Sequence, residues 1–148
     1  MLTNKFKINY SIGSVANGIK TDSFTFFLLF FYSNIIGLNP GLAGSAIFIA
    51  LCIDAVTDPL MGTISDRTNT SLGRRHPYMM ISFIPMSLGY IFLFAPRQDW
   101  DMSQSDLFVW MTIFTVLTRI GMTLFDIPHR AFGGEVSKNY KERTILMS

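Results

Sequence analysis

Asp54-Ala55-Val56-Thr57-Asp58-Pro59 sets two carboxylates four residues apart in the middle of a long apolar run. On a helix that spacing puts both on one face. At bilayer depth each would cost several kcal/mol unless it met a cavity, a partner or an ion, so such residues are functional candidates by default. Oxygen ligands suit a hard monovalent cation, and Thr57 adds a hydroxyl nearby. Without a cation, two like charges this close favour a shared proton. Either way the pair reads as a coupling-ion site for Na+ or H+, the alternative being structural ion pairs with buried basic residues. Pro59 removes one backbone hydrogen bond and frees a carbonyl of the preceding turn. That carbonyl is either a further ion ligand, as at interrupted membrane helices, or the mark of a packing kink.

Asp126-Ile127-Pro128 again places a carboxylate close to a proline. Thr123 lies on nearly the same helical face, and Arg119 one turn further back. Asp126 is therefore either an acceptor for substrate hydroxyls or the salt-bridge partner of Arg119 or Arg130. Lys20 and Asp22, in the first apolar stretch, either line the same cavity or pair with charges on neighbouring helices. A further group is the polar stretch from Gly62 to Pro77, with Asp66, Arg67, Gly73, Arg74 and Arg75. Asp66 falls near a helix C-terminus, where the dipole disfavours an anion, so basic partners should hold it. A short loop rich in Arg and Gly can latch helix ends and release them. The plainer alternative is a topological signal only.

These groups need elements to hold them, and the apolar stretches supply four spans: about 12–36, 43–64, 78–95 and 107–127. Gly37-Leu38-Asn39-Pro40-Gly41 separates the first two as a turn. Pro85 and Gly89 lie inside the third, where a membrane helix tolerates them. The first stretch follows Lys5 and Lys7 but is too long for a signal peptide and lacks a small-residue cleavage pattern, so it reads as a retained helix. Lys5, Lys7, Arg67, Arg74, Arg75, Lys138, Lys141 and Arg143 fall on one side of a fourfold zigzag, against Arg97 on the other. The positive-inside rule makes that side cytoplasmic, N-terminus included.

Composition agrees: 49% of the 148 residues are hydrophobic and only 15% charged, against about a quarter charged in soluble domains. Disorder is excluded. The single cysteine, Cys52, excludes a disulfide framework or a cysteine-based metal cluster. A net charge of +2 gives no global field for nucleic acid. No enzyme is indicated, since His76 falls in a loop and His129 at a helix end, without ligand spacing or a serine nucleophile motif. The fold class expected is an all-α membrane protein whose partners are the lipid bilayer and a small-molecule solute.

Gly62-x-x-x-Asp66-Arg67 followed by Gly73-Arg74-Arg75 resembles the loop between helices two and three of the major facilitator superfamily. Asp54-Ala-Val-Thr-Asp58-Pro-Leu-Met-Gly62 and Asp126-Ile-Pro128 resemble, within it, the glycoside–pentoside–hexuronide:cation symporters, the group of the melibiose permeases. Tyr10, Gly13, the Phe-Phe-Tyr-Ser run ending at Ser33 and Gly37-Leu38 fit that group's first helix. The resemblance implies the first four transmembrane helices of that fold. It implies cation ligands at Asp54, Asp58 and Thr123, with Thr57 where melibiose permeases carry asparagine. It implies a sugar-binding carboxylate at Asp126. The first-helix carboxylate that those permeases use for the galactosyl unit aligns with Gly18, which leaves pentosides, hexuronides and non-sugar solutes open. Arg130 replaces an aromatic and implies either a pair with Asp126 or an anionic substrate such as a hexuronate.

The function implied is cation-coupled transport of a sugar or related glycoside across the plasma membrane, without a cofactor other than Na+ or H+. The alternatives are the same fold moving a lipid or another non-sugar solute, and a small four-helix membrane subunit without transport. Superfamily transporters have about twelve helices in 3+3 repeats, so four spans imply an N-terminal portion whose remaining helices complete the cavity, and which is not expected to transport alone.

Overall fold

The computed structural model describes residue 24 and residues 26–70, 75–97 and 100–136. Among these all regular structure is helical: α1 (Phe26–Ile36), α2 (Pro40–Arg67), α3 (His76–Ile81), α4 (Phe83–Leu93) and α5 (Gln104–Val136). Most of the first expected span, with Gly18, Lys20 and Asp22, lies outside the described residues, as do Gly73 and Arg74 of the loop.

α2 and the stretch Gln104–Ala131 of α5 are long and apolar enough to cross a bilayer. With 28 residues, α2 extends about 42 Å, beyond the roughly 30 Å hydrocarbon core. It starts at Pro40 because Asn39 caps it, its side chain accepting the Gly41 N–H at 2.8 Å, and because proline is preorganised for a first helical position. Its buried stripe is mostly small residues, Ala43, Ala46, Ala50 and Ser65, with Met61 among them, while Phe48, Leu51, Val56, Leu60 and Ile64 point outward. Small inside and large apolar outside is the pattern of helices packed in lipid. The inward stripe continues at helical spacing through positions 54 and 58, which is how the sequence turns both carboxylates toward the neighbouring helix.

α1 ends in a π-helical turn, Phe31–Ile36, closed by Gly37 at φ 87°. The left-handed backbone there suits glycine, and Leu38 N–H bonds the Tyr32 carbonyl at 2.8 Å. The buried Tyr32 hydroxyl donates to the Leu93 carbonyl at 2.7 Å, and Trp110 Nε1 donates to the Phe92 carbonyl at 2.9 Å. Two aromatic donors thus bond carbonyls of the last turn of α4, where the helical ladder runs out; the Phe92 carbonyl also accepts the Ala95 N–H at 3.3 Å.

The third expected span is two pieces joined at Ser82, whose backbone stays helical at φ −57° and ψ −27°. The interruption follows from Pro85, which has no N–H for the Ile81 carbonyl and crowds it. α4 then packs on α5 through glycine. A Cβ built on Gly121 would stand 2.7 Å from Met86 N, and one on Gly89 2.9 Å from Thr118 N. The fourth expected span is extended at both ends, from Gln104 to Val136, and Pro128 is accommodated within it.

Gly121→Ala should therefore lower the stability of the intact protein by about 1–3 kcal/mol, the range for overpacking. Gly44→Ala, with open space around the new methyl, should leave it unchanged or slightly raised. Thermal unfolding in detergent compares the two.

Candidate functional site

α2 and α5 run parallel, and their cross-contacts keep a constant separation in sequence. Asn39 N–H donates to Gln104 Oε1 at 2.8 Å, with 65 residues between them in number. Arg119 Nη1 ion-pairs with Asp54 Oδ2, and the Thr123 hydroxyl donates to Asp58 Oδ1 at 2.8 Å. Gly62 faces the Ile127 side chain, 3.8 Å from a Cβ built there. Each pair has the same offset of 65, so the helices lie in one register from Asn39/Gln104 to Gly62/Ile127. Arg119, Thr123, Asp126 and Arg130 follow at i, i+4, i+7 and i+11, which is a single stripe of α5.

These stripes enclose a cleft of about 130 Å³ lined by Asp54, Asp58, Arg119, Met122, Thr123, Asp126, Ile127 and Arg130. A water occupies about 30 Å³ of liquid, so the space suits an ion with a few waters. Sites for drug-sized ligands run from about 300 Å³. Arg119 is further held by Phe24, whose ring centroid lies 5.5 Å from its guanidinium carbon. The side chains of Arg119 and Asp54 are only 16% and 19% exposed. Asp54 Oδ1 is buried and meets no hydrogen-bond donor among the described residues.

Of the expected cation ligands, Asp54, Asp58 and Thr123 come together at this cleft and Thr57 does not line it. The Thr57 hydroxyl donates back to the Asp54 carbonyl of its own helix, at 3.5 Å. Of the two acids, Asp54 stands in an ion pair with a basic residue, whereas Asp58 accepts a hydrogen bond from the Thr123 hydroxyl. Of the residues expected around a solute, Asp126 and Arg130 line the cleft; Gly18, Lys20 and Asp22 lie outside the described residues. Sequence spacing offers Arg119 as a partner for Asp126, on one face of the same helix. The signal for its pairing with Asp54 is a shared level on two parallel helices, which one sequence does not print.

At the other end of α2, Asp66 meets Arg75 Nη2 at 2.9 Å, the basic partner that its place at a helix C-terminus calls for. The Thr68 and Tyr78 hydroxyls lie 2.6 Å apart across the same connection. Arg67 is exposed at the last position of α2, and Gly62 lies one turn before Asp66.

Residues 9–148 match the family described as MFS/sugar transport protein. The chain is 28% identical over 148 residues to the inner membrane symporter YicJ of Escherichia coli, covering all of this chain and 32% of the relative. It is 32% identical to the sodium-dependent lysophosphatidylcholine symporter 1-A of Danio rerio, covering 96% of this chain and 26% of the relative. It is 24% identical to the isoprimeverose transporter of Lactiplantibacillus pentosus, covering 95% and 29%. No solved structure matches significantly. The chain belongs to the glycoside–pentoside–hexuronide:cation symporter family of the major facilitator superfamily, of which it represents the N-terminal portion. It spans less than a third of the length of each of these relatives.

Hydrogen bonds to charged groups contribute about 1.5–3 kcal/mol. Thr123→Val should lower the stability of the intact protein by that amount, and Thr123→Ser should retain most of it, as read from thermal unfolding in detergent.

Proposed function

We propose that this chain forms the cation-coupling wall of a plasma-membrane symporter, N-terminus cytoplasmic, that moves a sugar or related glycoside with Na+ or H+. The observation that carries the reading is the unequal answer that α5 gives to two acids on one face of α2. Among the described residues, Arg119 ion-pairs with Asp54, whereas Asp58 is met by the neutral Thr123 hydroxyl. One monovalent cation balances the Asp58 carboxylate. Asp58 with the Thr123 hydroxyl is its principal seat, and the open Oδ1 of Asp54 contributes a further oxygen.

Neutralising the excess charge lowers the cost of holding the acids at bilayer depth and lets α2 repack against its neighbours. Asp126 then accepts hydroxyls of the solute, with Arg130 at the rim and the first-span residues Gly18, Lys20 and Asp22 as the further substrate positions. A solute of sugar size needs walls beyond this cleft, which the remaining helices of the transporter would supply. Because binding linkage is reciprocal, cation and solute tighten each other. Asp66, Arg67, Gly62 and the loop residues Gly73, Arg74 and Arg75 form the cytoplasmic latch, and the Asp66–Arg75 pair is the contact that alternates. A lipid cargo is the second reading, favoured by the name of the zebrafish relative.

Asp58→Asn in the intact protein should abolish Na+ or H+ stimulation of uptake in reconstituted vesicles. Isoprimeverose and lysophosphatidylcholine serve as the two labelled solutes, and whichever accumulates in the parent protein decides the cargo class. Cation-driven accumulation of the same size in the variant would overturn the assignment.

A further inference from the structure

The ion pair at the centre of the cleft places a permanent cation where an exchangeable one is expected. Arg119 sits on α5 at the level of Asp54, engages Asp54 Oδ2, and is backed on another side by the Phe24 ring at 5.5 Å. One turn along α2, Asp58 is met among the described residues by a neutral donor, the Thr123 hydroxyl at 2.8 Å. Two carboxylates on one face of α2 are thus treated differently by two residues on one face of α5. A guanidinium stays charged under all ordinary conditions. It neither leaves with the solute nor crosses the membrane, yet it meets the same electrostatic demand as a transported cation.

We propose that Arg119 is a resident counter-cation, a specificity-determining residue that competes with Na+ for the Asp54–Asp58 pair and limits the site to one weakly held exchangeable cation. The inference rests on the coupling role proposed for Asp58. Arg119 satisfies Asp54, so the pair offers Na+ one net negative charge instead of two. Its own positive charge, one helical turn from Asp58, further weakens binding there; close charges of this kind change affinities by factors of ten or more. The buried Oδ1 of Asp54, with no donor among the described residues, is the atom through which Arg119 and Na+ act on the same carboxylate.

The test is Na+ binding by the intact purified protein in detergent, measured by titration calorimetry and by the Na+ dependence of Tm, because a ligand that binds only the folded state raises its stability. Arg119→Gln should bind Na+ at least tenfold more tightly than the parent. Its Tm should be lower than the parent's without Na+ and recover as Na+ is added, the ion standing in for the guanidinium. Arg119→Lys, which keeps the charge, should bind within a few-fold of the parent and show no new Na+ dependence of Tm. Unchanged or weaker Na+ binding by Arg119→Gln, or failure to recover that variant folded even in high Na+, would overturn the proposal. Asp58→Asn separates the two readings. If it binds Na+ like the parent, the coupling assignment fails; if it loses binding while Arg119→Gln gains nothing, only the counter-cation role fails.

Discussion

A carboxylate at the middle of a membrane helix has to be answered by a group on whichever helix stands beside it, and here that helix is held at a fixed level. The constant offset between α2 and α5 brings Arg119 opposite Asp54 and Thr123 opposite Asp58. A one-turn slip would set Arg119 against Asp58 and leave Asp54 facing Thr115, exchanging the ion pair and the hydroxyl between the two acids. The register therefore decides which acid is ion-paired and which is hydrogen-bonded. It is held at one end by Gln104, which accepts the Asn39 N–H and donates to the Gly37 carbonyl at 2.9 Å, and along its length by the buried alanines of α2.

The second helix pair is built on different chemistry. α4 meets α5 where Gly89 and Gly121 present no side chain, so backbones approach closely and dispersion replaces polar contact. The hydroxyl of Tyr32 and the indole of Trp110 close the exposed carbonyl end of α4. Here the polar bonding is confined to the helix end, whereas between α2 and α5 it lies at mid-depth. That division leaves one polar seam among the described helices, and the seam is where an ion has reason to enter.

Much of this arrangement is legible from residue types. Asp54, Asp58 and Asp126 are conspicuous because carboxylates are costly in an apolar run, and Asp66 because it sits at the wrong end of a helix dipole. Their helical faces follow from spacing alone. The pairing of Arg119 is not legible, since position 119 is compatible with Asp126 on its own helix as well as with a neighbour, and only the interhelical level selects Asp54. Thr57 illustrates the converse: its proximity in sequence suggests a ligand, but its hydroxyl turns back to the Asp54 carbonyl, a local bond that competes with any outward role. The division of the third span at Ser82 is encoded three residues later, in Pro85. The start of α5 at Gln104 was hidden because Gln104 and Ser105 are polar and read as loop.

The Gln104 clasp also gives the α2–α5 pair a mechanical asymmetry. At that end the helices are joined by two hydrogen bonds to backbone groups, while at Gly62 and Ile127 they merely touch. Any change of crossing angle then pivots at the clasp, with a lever arm of about 35 Å for the 23 residues from Asn39 to Gly62 at 1.5 Å each. A tilt of about 5° on that arm displaces the far end by about 3 Å, enough to break the side-chain contact there while moving the mid-depth ion pair by roughly two-thirds as much. The pair behaves as a hinged rod, stiff where the amide grips it and compliant toward the end that carries Asp66 and Arg75.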